Sequence, residues 1–241
     1  MNLFYIPQGL NGNHGVLDEE ESKHCIRVLR LQPGDEIDIT DGKGFFYKAQ
    51  IAGTSPKHCE IITVSTTESA KSNNSIHIAI APTKNINRLE WFMEKSTEMG
   101  ITAITPVYSR YSERKAIKPE RLEKILVSAM KQSLKAFLPT LHQEINFKNF
   151  IEQDFADAEK YIAYYGSYDK KLLQKEYTPN KDVIIMIGPE GGYEEKEVEQ
   201  AVQKGFIPVS LGPSRLRTET AGIVACHTIH LINDINIYNA E

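Results

Sequence analysis

The sequence is short of cysteine, and its cysteines form no pattern. Cys25, Cys59 and Cys226 are odd in number, far apart and without any Cys-x-x-Cys, which argues against a disulfide framework and against a zinc site. Three reduced, mostly buried thiols and no bound metal are expected. Long apolar runs are also missing: stretches such as Val183 to Ile187 are far shorter than the roughly 20 residues that span a bilayer, and Met1 to Pro7 has no basic region followed by an apolar run. A cytoplasmic protein without a membrane partner is expected. There is no excess of positive charge, the net value being −4, which argues against a protein that simply coats nucleic acid. No Gly-Lys-Ser/Thr follows a glycine loop and no Gly-x-Gly-x-x-Gly occurs, so the familiar phosphate cradles lose most of their weight. No internal repeat or low-complexity tract is present.

What the chain does have is an ordinary globular composition, 41% hydrophobic and 25% charged over 241 residues, enough for one substantial core or two modest ones. The net charge hides an asymmetry. From Pro82 to Lys135 there are 11 Lys or Arg against 6 Asp or Glu, whereas Ala136 to Gln200 holds 7 against 13. One basic surface would explain this, and so would solvated helix faces.

Two regions read differently. Residues 1–72 begin with a charged helix near Glu19 to Leu29 and a turn at Pro33-Gly34-Asp35. Short strand-like runs follow: Glu36 to Thr40, then Asp41-Gly42-Lys43-Gly44 as a hairpin signal, then Phe45 to Ile51 and Cys59 to Val64. This pattern suits a compact β-barrel, and Ser65 to Asn74, rich in Ser, Thr and Asn, suits a linker. From 73 to 241 strands alternate with helices. The strands are Ile76 to Ala81, Ala103 to Val107, Lys160 to Tyr165, Val183 to Ile187 and Pro208 to Leu211. The helices run from about Asn87 to Met99, Pro119 to Leu134, Glu194 to Lys204 and Thr218 to Ile232. Such alternation predicts an α/β domain with a mostly parallel sheet.

Two loops carry the chemistry. Ile187-Gly188-Pro189-Glu190-Gly191-Gly192-Tyr193 follows an apolar strand and precedes an acidic helix. Ligands of open α/β sheets bind outside the carboxyl ends of strands, where glycine admits close approach to the main chain; an ordinary tight turn is the competing reading. Val209 to Ala221 repeats the strand, loop, helix order. Thr218 or a neighbour is placed to cap the helix, while Arg215 and Arg217 put two permanent cations where the helix dipole disfavours them. An anionic ligand would offset that placement, and so would a local pair with Glu219.

Taken together, Gly188-Pro189-Glu190-Gly191-Gly192 and Leu216-Arg217-Thr218-Glu219-Thr220-Ala221, starting 28 residues apart, resemble the two signature segments of the RsmE family. These are 16S rRNA (uracil N3) methyltransferases of the SPOUT superfamily. Lys84 to Gly100, Gln132-Ser133 with Leu138-Pro139, and His24 to Arg30 with Pro33-Gly34-Asp35 also look like that family, so the resemblance spans nearly the whole chain. The sequence departs from the family pattern at Ser214-Arg215, where an arginine would directly follow Pro213, and at Lys131, Leu134 and Lys135.

The resemblance implies a PUA-like RNA-binding barrel followed by a trefoil-knotted methyltransferase domain. It implies S-adenosyl-L-methionine held by Gly188, Pro189, Glu190, Gly191, Gly192, Leu211, Gly212, Leu216, Thr218, Thr220 and Ala221. It implies a homodimer, for whose surface Ile223, Val224, His227 and Leu231 are one candidate stripe and simple burial the alternative. The implied reaction is methylation of uridine N3 in 16S rRNA of the small ribosomal subunit. Arg217 and Arg215 would stabilise the uridine anion, and Glu219 would act as a base or a helix cap. Lys23, His24, Arg27 and Arg30, with Arg88, Arg110, Arg114 and Lys115, would contact RNA, the cations through phosphate. Another SPOUT enzyme acting on tRNA or ribose, a silent RNA-binding protein and a simple nucleotide-binding domain are the competing readings.

Overall fold

A computed structural model describes residues 3–10, 12–55, 57–166 and 169–238. The chain forms two compact units: residues 1–71 together with Val127–Leu138, and Ser72–Leu126 together with Pro139 to the end. Chain order alone assigns Val127–Leu138 to the second region, but its contacts place it in the first unit.

The first unit contains β1 (Leu3–Tyr5), β2 (His14–Leu17), α1 (Glu19–Lys23), β3 (Glu36–Thr40), β4 (Phe45–Gly53) and β5 (Cys59–Glu68), with sheet order β1-β3-β4-β5-β2. Alternate residues point inward, so Ile37, Ile39, Ala49, Ile51 and Ile61 join Phe4, Leu17, Cys25 and Cys59 in one core. The β3–β4 hairpin forms because the Asp41 carboxylate accepts from the backbone N–H of Lys43 at 2.8 Å and of Phe45 at 3.1 Å, closing an Asx-type turn.

Two expectations are corrected here. The stretch Ser65 to Glu68 is not linker but the end of β5, where Thr66 pairs with Tyr47 and Thr67 with Phe46. Cross-strand packing of β-branched on aromatic residues outweighs the loop-like composition. The charged helix is α-helical only to Lys23. His24–Val28 is a π turn, in which the Leu29 N–H donates to the His24 carbonyl at 3.0 Å. Lys23, Arg27 and Arg30 therefore do not share one α-helical face, and Arg30 lies beyond the turn with φ 58°.

The second unit runs β6 (Ile76–Ile80), α2 (Ile86–Met99), β7 (Ala103–Tyr108), α3 (Pro119–Gln132, its C-terminal part in the first unit), β8 (Thr140–Leu141), β9 (Ile145–Asn146) and α4 (Phe147–Ile151). It continues with β10 (Glu159–Ala163), β11 (Lys171–Leu172), α5 (Leu173–Glu176), β12 (Val183–Ile187), α6 (Glu195–Gln203), β13 (Ile207–Ser210) and α7 (Thr218–Tyr238). The sheet order is β11-β13-β10-β12-β6-β7-β8, every pairing being parallel. β12 is buried along its whole length, as a central parallel strand covered on both faces must be. One face carries Phe147, Phe150, Val198 and Phe206 from α4, α6 and the segment after α6. α2 and α7 pack against each other, with α7 also on β6 and β12.

Helix boundaries follow local chemistry. Asn85 caps α2, accepting from the Asn87 N–H, and Glu194 with Glu197 forms a capping box on α6. No helix among the described residues is long and apolar enough to cross a membrane.

Candidate active site

The parallel strands β10, β12 and β13 end side by side, and the loops leaving them enclose a cavity of about 620 Å³. That size is within the roughly 300–1,000 Å³ typical of small-molecule and cofactor sites.

The first wall is the loop after β12. Its turn closes through the Gly192 N–H donating to the Pro189 carbonyl at 2.8 Å, with Gly192 at φ 75°. The Glu190 carboxylate reaches back to the start of α2, where Oε1 accepts from the Lys84 N–H at 2.9 Å. Its Oε2 is buried and meets no partner among the described residues.

The second wall is the loop after β13. The Ser210 hydroxyl donates to the Gly212 carbonyl at 2.9 Å and accepts from the Gly212 N–H at 3.2 Å. Gly212 stands at φ 133°, a conformation essentially reserved for glycine. The two walls are tied together: Thr218 Oγ1 donates to the Gly188 carbonyl at 2.9 Å.

The third wall is the end of β10, where Ala163, Tyr164, Tyr165 and Gly166 line the space. The strand is legible in the sequence, but its place beside both glycine loops is not. That adjacency comes from β10 pairing with β12 on one side and β13 on the other.

Of the residues expected to hold a cofactor, Gly188, Pro189, Glu190, Gly191, Gly192, Leu211, Gly212, Leu216, Thr218 and Ala221 line the cavity. Thr220 does not. Arg215 and Arg217 line it from an exposed loop. Glu219 is not on the lining; it is 7% exposed and lies behind Arg88, whose Nε is 3.7 Å from Glu219 Oε1. Arg88 itself, read from sequence as a phosphate contact, lines the cavity.

The other cations separate. Arg114 donates to the carbonyls of Thr83 at 2.8 Å and Lys84 at 2.7 Å, so its guanidinium braces the loop before α2. Lys115 donates to the Ser112 carbonyl at 3.0 Å, and Arg110 lies 3.5 Å from Glu194 with its own N–H on Glu197. In the first unit Lys23 pairs with Glu19 at 2.6 Å, His24 tilts against the Phe4 ring, and His24, Arg27 and Arg30 are exposed. Lys131, one of the departures from the family pattern, is bound to the buried Glu21 carboxylate at 2.5 Å.

The fold has known counterparts. Residues 17–64 match the model of an RNA methyltransferase PUA domain, and residues 70–230 that of an RNA methyltransferase domain. The class is thereby defined as an RNA methyltransferase with a PUA domain at its N-terminal side. Ribosomal RNA small subunit methyltransferase E of Buchnera aphidicola is 31% identical over 92% of this chain and 89% of its own. Among solved structures, a probable rRNA-methyltransferase from Porphyromonas gingivalis is 42% identical with a TM-score of 0.91, covering 98% of this chain and 100% of that one. Ribosomal RNA small subunit methyltransferase E from Neisseria gonorrhoeae, bound to S-adenosyl methionine, is 30% identical with a TM-score of 0.87, covering 96% and 98%. The chain belongs to the ribosomal RNA small subunit methyltransferase E family.

Proposed function

We propose that this chain methylates N3 of a uridine in 16S rRNA of the small ribosomal subunit, with S-adenosylmethionine as methyl donor. The observation that carries the reading is the cavity built from both signature loops and bridged by Thr218 and Gly188. A main-chain cradle with Gly212 at φ 133°, together with a buried Glu190 Oε2 that has no partner among the described residues, fits a ligand that offers hydrogen-bond donors to carbonyls and a carboxylate. Gly188, Glu190, Gly192, Leu211, Gly212 and Leu216 would hold it. Bound there, S-adenosylmethionine would supply an electrophilic methyl group carried on a sulfonium.

The protein's part is positioning and charge. A uridine N3 carries a proton at neutral pH and must lose it to become a nucleophile. Arg215 and Arg217, on the cavity lining, oppose the charge that then develops on the imide. The base must leave any stack to enter, at a cost of a few kcal/mol. Exposed Arg27 and Arg30 on the N-terminal unit would contribute phosphate contacts.

The same reading includes a trefoil knot, a homodimer and a cytoplasmic site of action. The strand order supports the knot: β13 pairs with β10, yet α7, which follows β13, packs on β6 and β12, so the chain returns past the loop after β12. The stripe of Ile223, Val224, His227 and Leu231 supports the homodimer. Ile223 and Val224 are half-buried and His227 and Leu231 exposed, while α7 buries Ala225, Cys226 and Ile229 instead. An apolar face is thus left for a second copy.

Incubation with radiolabelled S-adenosylmethionine and small subunits lacking the modification tests the proposal. Label is expected in 16S rRNA; label confined to tRNA, or found on ribose, would overturn it.

A further inference from the structure

Arg88 stands on α2, remote in sequence from both glycine loops, yet it lines the cavity. Its Nε is 3.7 Å from Glu219 Oε1. Glu219 is buried, and its Oε2 has no partner among the described residues. A carboxylate at that depth is costly unless its charge is met. Two sources meet it: the Arg88 guanidinium, and the first turn of α7, in which Glu219 lies at the positive end of the helix dipole. The Nη groups of Arg88 make no hydrogen bond among the described residues. The arrangement is a guanidinium within ion-pair range of a buried anion at Nε, with Nη donors that carry no hydrogen bond among the described residues, on a side chain that lines the cavity. Unlike Arg215 and Arg217, which sit on an exposed loop, it is mounted on a packed helix.

We propose that Arg88 is a further catalytic residue, a third cation that, beside Arg215 and Arg217, meets the negative charge of the uridine imide, and that Glu219 is its positioning residue. The inference rests on the uridine N3 reading above. The N3–H proton passes to water, and the electron pair of that bond stays on the imide, shared between N3 and the flanking carbonyl oxygens. Donors fixed on a carbonyl oxygen lower the cost of that charge, and a planar guanidinium offers two in one plane. The N3 lone pair then bonds the methyl carbon as the carbon–sulfur bond breaks toward sulfur. Glu219 acts through Arg88 and does not touch the base, in keeping with its absence from the cavity lining.

The test compares Arg88→Gln, Arg88→Lys and Glu219→Gln with the unmodified protein. Donor affinity is measured by calorimetry, and methyl transfer to unmethylated small subunits is measured from about pH 6.5 to about pH 9.5. Arg88→Gln is expected to bind S-adenosylmethionine within about twofold of the parent while losing about a hundredfold in kcat near neutral pH. That deficit shrinks as pH rises, because the imide then ionises without help. Arg88→Lys falls between, and Glu219→Gln loses about tenfold with the same pH trend. An unchanged kcat, a deficit independent of pH, or a matching loss of donor affinity would each overturn the proposal. If the unmodified protein binds the donor but forms no 3-methyluridine, the parent reading falls and takes this one with it. A normal parent enzyme beside an equally active Arg88→Gln removes this proposal alone.

Discussion

The Thr218 hydroxyl donates to the Gly188 carbonyl at 2.9 Å, joining the first residue of the last helix to the first residue after β12, thirty positions earlier. One hydrogen bond thereby holds two loops at the separation the cavity requires. Thr218 is 4% exposed, so water does not readily replace it.

Thr218→Val keeps the shape and removes the donor, leaving the half-buried Gly188 carbonyl without its hydroxyl partner, at a cost of about 1–3 kcal/mol. Because the cost is incurred at the cavity wall, S-adenosylmethionine affinity is expected to fall about tenfold or more by titration calorimetry. Thr218→Ser, which keeps the hydroxyl, is expected to bind near normally. Equal binding by Thr218→Val would show that the loops hold their places without the bond.

Much of this site was legible before the fold was. The apolar run Val183 to Ile187 ending in glycines, and a second strand ending before Gly212, sufficed to place both loops at strand ends. The contribution of Ala163 to Gly166 was hidden, because only the order of strand pairing brings β10 between β12 and β13. The Arg88–Glu219 pair was hidden for a related reason: Arg88 reads as a surface cation until α2 packs on α7. Between Pro139 and Asp182 the elements β8, β9, α4, β11 and α5 are two to five residues long, too short for a period to declare itself. The π turn at His24–Val28 and the pairing of Lys131 with the buried Glu21 likewise depend on tertiary packing.

Gly212 tests the main-chain cradle directly. An added Cβ would meet nothing within 4 Å, so Gly212→Ala is not a steric clash with a neighbour. It is a backbone penalty at φ 133°, of order 1–3 kcal/mol. Donor affinity is expected to drop about tenfold or more while the melting temperature moves by only a few degrees. A large loss of stability with normal affinity would contradict the cradle.

A half-buried histidine packed among aromatic rings predicts acid sensitivity. His77 Nε2 is 2.7 Å from Thr105 Oγ1, and the ring packs near Phe150, Phe155 and His142. Burial, and secondarily His142, hold its pKa down at about 4 against an ordinary 6.5. The unfolded chain therefore takes up the proton first. Stability that is fully present above about pH 6.5 is lost as pH falls toward 4, by up to roughly 3 kcal/mol. Urea denaturation of the parent and of His77→Gln at a series of pH values should show the parent losing more on acidification. Parallel curves would contradict a neutral His77 in the folded chain.

Nucleoside mass mapping of 16S rRNA, after incubation of unmethylated small subunits with S-adenosylmethionine and either the parent chain or Arg217→Ala, tests the uridine N3 assignment at its product. Arg217 lines the cavity from an exposed loop, so the variant should fold and bind the donor yet lose about a hundredfold in rate. With the parent, 3-methyluridine is expected at a defined position, and with the variant a small fraction of it. Methylation on another base or on ribose, or equal yields from the two proteins, would contradict the assignment.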